Sequence, residues 1–203
     1  MKKVHYYAGL ILCCFIGLHL FNHLMSLGGA DTHIRVMQYL RLIYRNPLVE
    51  TLLLLACGIQ VLSGIRLVRR KRRMAHTGFE KLQMITGLYL AFFLLIHLSA
   101  VFTGRYFLHL DTNIYFGAAA LNSFPTLLFF VPYYGLAIMA VFGHLASVHQ
   151  QKMTVTLFGC TPRQQAFLIL LTGMLITLCI FYGLTHHFKG MTIPAAYQVL
   201  TGK

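Results

Sequence analysis

The chain has 203 residues, 58% of them hydrophobic and 10% charged, with a mean hydropathy of +0.69. That balance excludes an ordinary soluble domain and indicates an integral membrane protein. The formal charge of +13 does not point to nucleic acid, because basic residues of a polytopic protein sort first by side of the membrane.

Five apolar runs, at about 4–27, 48–68, 82–103, 125–148 and 164–186, reach the roughly 20 residues needed to cross about 30 Å of hydrocarbon. They predict a single all-α domain over 1–203, a bundle of five transmembrane helices. The first span has a basic start and small residues at "SLGGA", like a secretory signal, but its apolar run is too long for one. It is read as a retained helix carrying His5, His19 and His23. In the connection after it, "HIRVMQYLRLIYR" reads as a short interfacial amphipathic helix. Glu50 opens the second span, where the macrodipole favours a carboxylate. Gln60 follows in "GIQVLSG", and then the basic segment "RLVRRKRRMAH".

The third span, "LQMITGLYLAFFLLIHLSA", carries His97 near its far end, with Gln83, Thr86 and Tyr89 at helical spacing. A second long connection, about 104–124, is expected to fold over the bundle mouth. The fourth span carries His144, with His149 at its end. Tyr6, Tyr7, Tyr133, Tyr134 and Tyr182 suit an aromatic belt. Gly9, Gly17, Gly58, Gly64, Gly87, Gly135 and Gly143 allow close helix packing or close approach of a flat cofactor. The five cysteines form no CxxC and lie mostly within spans, so buried thiols are expected rather than a disulfide framework.

With the N-terminus inside, one face collects 11 of the 17 basic residues, Lys2, Lys3, Arg66, Arg69, Arg70, Lys71, Arg72, Arg73, Lys81, Lys152 and Arg163, against 6 on the other. By the positive-inside rule that face is cytoplasmic, and its basic connection is expected to lie against anionic headgroups or an acidic partner.

Ionisable groups in hydrocarbon are costly; they face the bundle interior, where they bind ligands, carry protons or bond neighbouring helices. His19 stands about eight residues, roughly 12 Å, from the outer end of its span, and His97 about six residues, roughly 9 Å, from the end of its own. The two can meet at one level. Two neutral imidazoles at one depth in a low-dielectric bundle are what axial ligation of a haem iron requires. His144 and Gln60 belong to a second, inner level.

"LQMITGLYLAFFLLIH" resembles the third span of the single-chain, five-helix cytochrome b membrane subunits of succinate dehydrogenase and fumarate reductase. "HYYAGLILCCFIGLHL" is similar to that family's first span, "VETLLLLACGIQVLSG" to its second, "FGHLASV" to its fourth and "MTVTLFGCTPRQQ" to its turn into the fifth. The resemblance implies a cytochrome b anchor in a bacterial cytoplasmic membrane. It would pass electrons between membrane quinone and a flavoprotein and iron-sulfur pair on the cytoplasmic face, which perform the dicarboxylate chemistry.

The resemblance also implies His19 and His97 as the outer haem ligands, with His23 as the fallback, and His144 as an inner ligand. Opposite His144 the family pattern falls on Gln60, and an amide is a poor iron ligand, so one haem b is expected rather than two. Glu50 falls where the resemblance implies exchange of quinol protons. Arg41, Arg45 and Arg105 stand near the outer mouth, where propionates or headgroups would pair with them. Two other readings remain open: a metal-binding membrane protein or transporter using His19, His23 and His97, and a haem-free structural anchor.

Overall fold

The computed structural model describes residues 2–71 and 77–202. Arg72 and Arg73, and with them much of the basic segment expected against headgroups, lie outside the described residues. Seven α-helices are described: α1 (Lys2–Leu24), α2 (Ala30–Tyr44), α3 (Pro47–Lys71), α4 (Gly78–Phe102), α5 (Ile114–Leu121), α6 (Leu127–Lys152) and α7 (Pro162–Leu184). Short tight-helical turns extend α1 over Met25–Gly28 and close the chain over Ala195–Thr201, and a wide turn continues α4 over Thr103–Phe107.

Among the described residues five helices are long and apolar enough to cross a membrane: α1 with its extension, α3, α4 with its extension, α6 and α7. They are apolar around most of their circumference, as helices bathed in lipid must be. Their ends carry local stop and start signals. Thr77 and Glu80 form a reciprocal capping box at the start of α4, and Thr161 and Gln164 form another on α7, with Pro162 at its first position.

The five spans close on themselves. α1 packs on α3, α3 on α4, α4 on α6, α6 on α7, and α7 back on α1. Helices α1 and α4 therefore face each other across the interior. Glycine permits the closest approaches. A side-chain carbon on Gly173 of α7 would collide with the Phe142 ring of α6, and one on Gly183 would meet the backbone carbonyl carbon of Ser26 at 2.9 Å and the Leu27 nitrogen at 3.0 Å.

The outer end is closed more tightly than a loop would close it. α2 forms where the amphipathic pattern placed it, with His33 and Met37, one turn apart, as its buried residues. α5 differs from the expected covering loop. Its small residues let it wedge into the bundle, so that Ala118 and Ala119 are fully buried, and Ile114, Ala118 and Leu121 pack against Ile138, Ile180 and Leu184. Asp111 ties the cap together. Its carboxylate pairs with Arg41 at 2.7 Å and more loosely with Arg45 at 3.9 Å, while its backbone carbonyl accepts from Tyr197 at 2.9 Å.

The cysteines correct one expectation. All five are free, but only Cys57 is buried; Cys13, Cys14 and Cys179 are exposed on the outside of their helices. A thiol facing hydrocarbon has no water to avoid, so the burial habit of soluble proteins does not carry over.

Candidate functional site: two polar levels inside an apolar bundle

At the outer level, His19 of α1 and His97 of α4 approach across the interior, from helices that are not neighbours, with ring centres 6.2 Å apart. Each ring is flanked by an aromatic one helical turn away, Phe15 stacking on His19 and Phe93 on His97. Both histidines are half-buried.

His23, one turn beyond His19, brings its Nε2 to 3.2 Å from the Nε2 of His19. Its ring centre lies 5.4 Å from that of His33, which reaches in from α2. Asn22 Nδ2 donates to His33 Nε2 at 3.1 Å, so the proton of neutral His33 sits on Nδ1. That Nδ1, the Nδ1 of His23 and the Oδ1 of Asn22 are buried without a partner. Burial pushes His33 down to about 4, with smaller contributions from His19 and Arg41. His33 and Asn22 are additions to the residues singled out from the sequence. The signal for His33 was the one-turn spacing to Met37 on the apolar face of α2.

The inner level lies about 15 Å away, ten residues back along both α1 and α4. Gly9 of α1 faces the Gln60 amide of α3, and Gly87 of α4 faces the His144 ring of α6. Gln60 and His144 therefore share one depth on opposite helices. His144 Nδ1 donates to the Gln83 carbonyl at 3.2 Å, with Thr86 Oγ1 at 3.4 Å, and this fixes the tautomer that leaves Nε2 with its lone pair. The Gln60 Oε1 is buried without a partner. Nearby, Ser63 gives its hydroxyl hydrogen to the Ile59 carbonyl and accepts from His5 Nδ1 at 2.8 Å.

Glu50 does not stand free in solvent at the start of α3. It pairs with Arg105 of the α4 extension at 2.5 Å, both side chains being largely covered. Arg41 and Arg45 are likewise engaged, with Asp111. Of the polar trio on α4, Thr86 and Gln83 meet His144, and Tyr89 donates to the Tyr133 carbonyl at 2.9 Å. His149 stands at the inner end of α6, bonded to Gln165.

The fold and these levels define an all-α membrane-spanning bundle with a histidine-rich interior. No family model, no curated protein and no solved structure matches the chain.

Two imidazoles bound to opposite sides of one metal by bonds of about 2 Å have ring centres roughly 6 Å apart, and the His19 to His97 separation fits that span. Among the described residues no group of three or more His, Cys, Asp or Glu is placed to hold a bare metal ion. Two imidazole donors would suit a cofactor that brings most of its own ligands.

Proposed function

We propose that the chain is a haem-binding, quinone-linked cytochrome b that serves as the membrane anchor of a succinate dehydrogenase or fumarate reductase-like complex. The observation that carries this reading is the meeting of His19 and His97 from opposite helices. His19 and His97 would hold the iron of one haem b at the outer level, with His23, one turn beyond His19, as the fallback ligand. The bound haem supplies a one-electron carrier within the membrane. The stacked Phe15 and Phe93 hold the two imidazoles in place, and the cap of α2 and α5 keeps water from the site.

Gln60 leaves the inner level without its second imidazole, so haem occupies one level. Glu50, held by Arg105 at the outer mouth, is the carboxylate through which quinol protons exchange. Flavoprotein and iron-sulfur partners bind at the cytoplasmic end and carry the dicarboxylate chemistry, and the membrane is the bacterial cytoplasmic one.

The test is a reduced-minus-oxidised spectrum with haem quantified per chain, for the wild type, His97→Ala and His144→Ala in mild detergent. About one haem per chain, lost with His97 and kept without His144, supports the reading. The bond between His19 and His23 favours one alternative, a haem-free anchor whose histidines satisfy each other. A folded wild type without haem would establish that alternative instead.

A further inference from the structure

The connection between α6 and α7 is a built feature. Leu157 and Cys160 exchange backbone hydrogen bonds of 3.1 and 2.9 Å, closing a two-residue turn. The turn residues are Phe158 at φ 49° and Gly159 at φ 77°, the left-handed pair a tight hairpin requires. Glycine or asparagine suits the first of these positions; a phenylalanine there is strained.

Its ring is also wholly exposed, at 104%, beside exposed Val155 and Leu157. Both costs are incurred without a compensating contact among the described residues. Strain that persists at one position points to a use for that position.

The hairpin is also held rigidly. Gln165, buried in the first turn of α7, donates from Nε2 to the carbonyls of Val155 at 3.1 Å and Cys160 at 2.7 Å, while its Oε1 accepts from His149 at 2.8 Å. Every polar atom of the Gln165 amide is thereby engaged in aiming the tip. A side chain held in its bound position before binding loses little entropy when it binds, which is how interface anchors gain affinity.

The surroundings fix the chemistry of what it meets. Gln150, Gln151, Lys152, Arg163 and Gln164 separate the tip from the apolar parts of α6 and α7, so it stands beyond the hydrocarbon. The same end carries Lys2, Lys3, Arg66 and Arg70, and its one described acid, Glu80, is engaged in the Thr77 cap.

We infer that the Phe158 hairpin is the anchor by which this end of the bundle docks a soluble protein, one that offers an apolar pocket for the ring and a carboxylate rim for the cations around it. This rests on the proposed docking face and names its contact point. It does not depend on haem.

The chain contains no tryptophan, so Phe158→Trp places a single reporter at the tip. In nanodiscs of phosphatidylglycerol and brominated phosphatidylcholine its emission is expected to be solvent-like, quenched by acrylamide and untouched by the bromines. In native membranes, carbodiimide is expected to join Lys152 to an Asp or Glu of a soluble polypeptide. Phe158→Trp keeps that product and Phe158→Asn lowers it at least tenfold.

Asparagine suits the left-handed turn, so Phe158→Asn is expected to keep the haem content and at least the unfolding temperature of the wild type. Quenching by brominated lipid would make the hairpin a membrane contact and overturn the inference. So would a cross-link that is indifferent to residue 158, or one formed only with a second copy of this chain. Haem per chain, measured on the same samples, reports separately on the cytochrome reading.

Discussion

Gln60→His is the substitution that most directly probes the two-level interior. Gln60 and His144 share a depth on opposite helices, about 15 Å inward of His19 and His97. His144 already has its Nδ1 occupied by the Gln83 carbonyl and its Nε2 free of that bond. The present Gln60 leaves its Oε1 buried without a partner, a cost of about 1–3 kcal/mol for a neutral polar atom, so replacing the amide removes a destabilising group as well as adding a ligand. Gly9, which faces the amide, leaves an imidazole room to stand against α1. On the proposed cytochrome reading, the expected result is a rise from about one haem per chain to about two. The difference-spectrum amplitude per chain should nearly double, and the added haem should disappear when His144→Ala is combined with Gln60→His. The assay is haem extraction and quantitation against protein, with unfolding temperature as the control for folding. A folded Gln60→His variant that stays at one haem would refute the pairing of α3 with α6 at the inner level.

Three further outcomes are expected. The His33 imidazole, lowered to about 4 from 6.5, binds fewer protons in the folded state than in the unfolded one; its contribution to stability is complete above pH 6.5 and is lost as pH falls towards 4. The loss amounts to about 3 kcal/mol. Unfolding temperature measured across that window should fall more steeply for the wild type than for His33→Gln, and parallel curves would remove His33 as the cause. Gly183→Ala drives a methyl group against the Ser26 and Leu27 backbone, where neither side can yield by a rotamer change, at a cost of about 1–3 kcal/mol. Because Ser26 also bonds the His23 carbonyl at 2.6 Å, haem content should fall along with stability; an unchanged unfolding temperature would show that the contact is not tight. A double-mutant cycle on Glu50→Gln and Arg105→Gln should return a coupling of about 1 kcal/mol, as for a partly covered ion pair, and near-zero coupling would mean that the pair is incidental.

The five spans and the depths of His19 and His97 were legible because length and rise per residue along an apolar helix fix where a polar group lies. The amphipathic α2 was legible for the same periodic reason. Which side of a span faces protein was not, since a helix apolar all round carries little directional signal; this is why Cys13, Cys14 and Cys179 point outward against expectation. The burial of α5 escaped notice because its small residues matter only once α6 and α7 stand beside them. The inward reach of His33 and the pairing of Glu50 with Arg105 are tertiary facts between segments far apart in the chain. The Phe158 turn hid because phenylalanine is not a residue that announces a left-handed position.

The closure of α7 on α1 sets an order of events for biogenesis. α1 and α4, which bear the two outer imidazoles, are made well before α7, and until α7 docks the interior has an open flank between α1 and α6. Once Gly183 seats against Ser26 that flank is shut, while α2, α5 and the Asp111 contacts cover the outer end. Any large group that occupied the interior would therefore have to enter before α7 docks. Its exchange afterwards would be limited by the opening of α7 rather than by its affinity for the site.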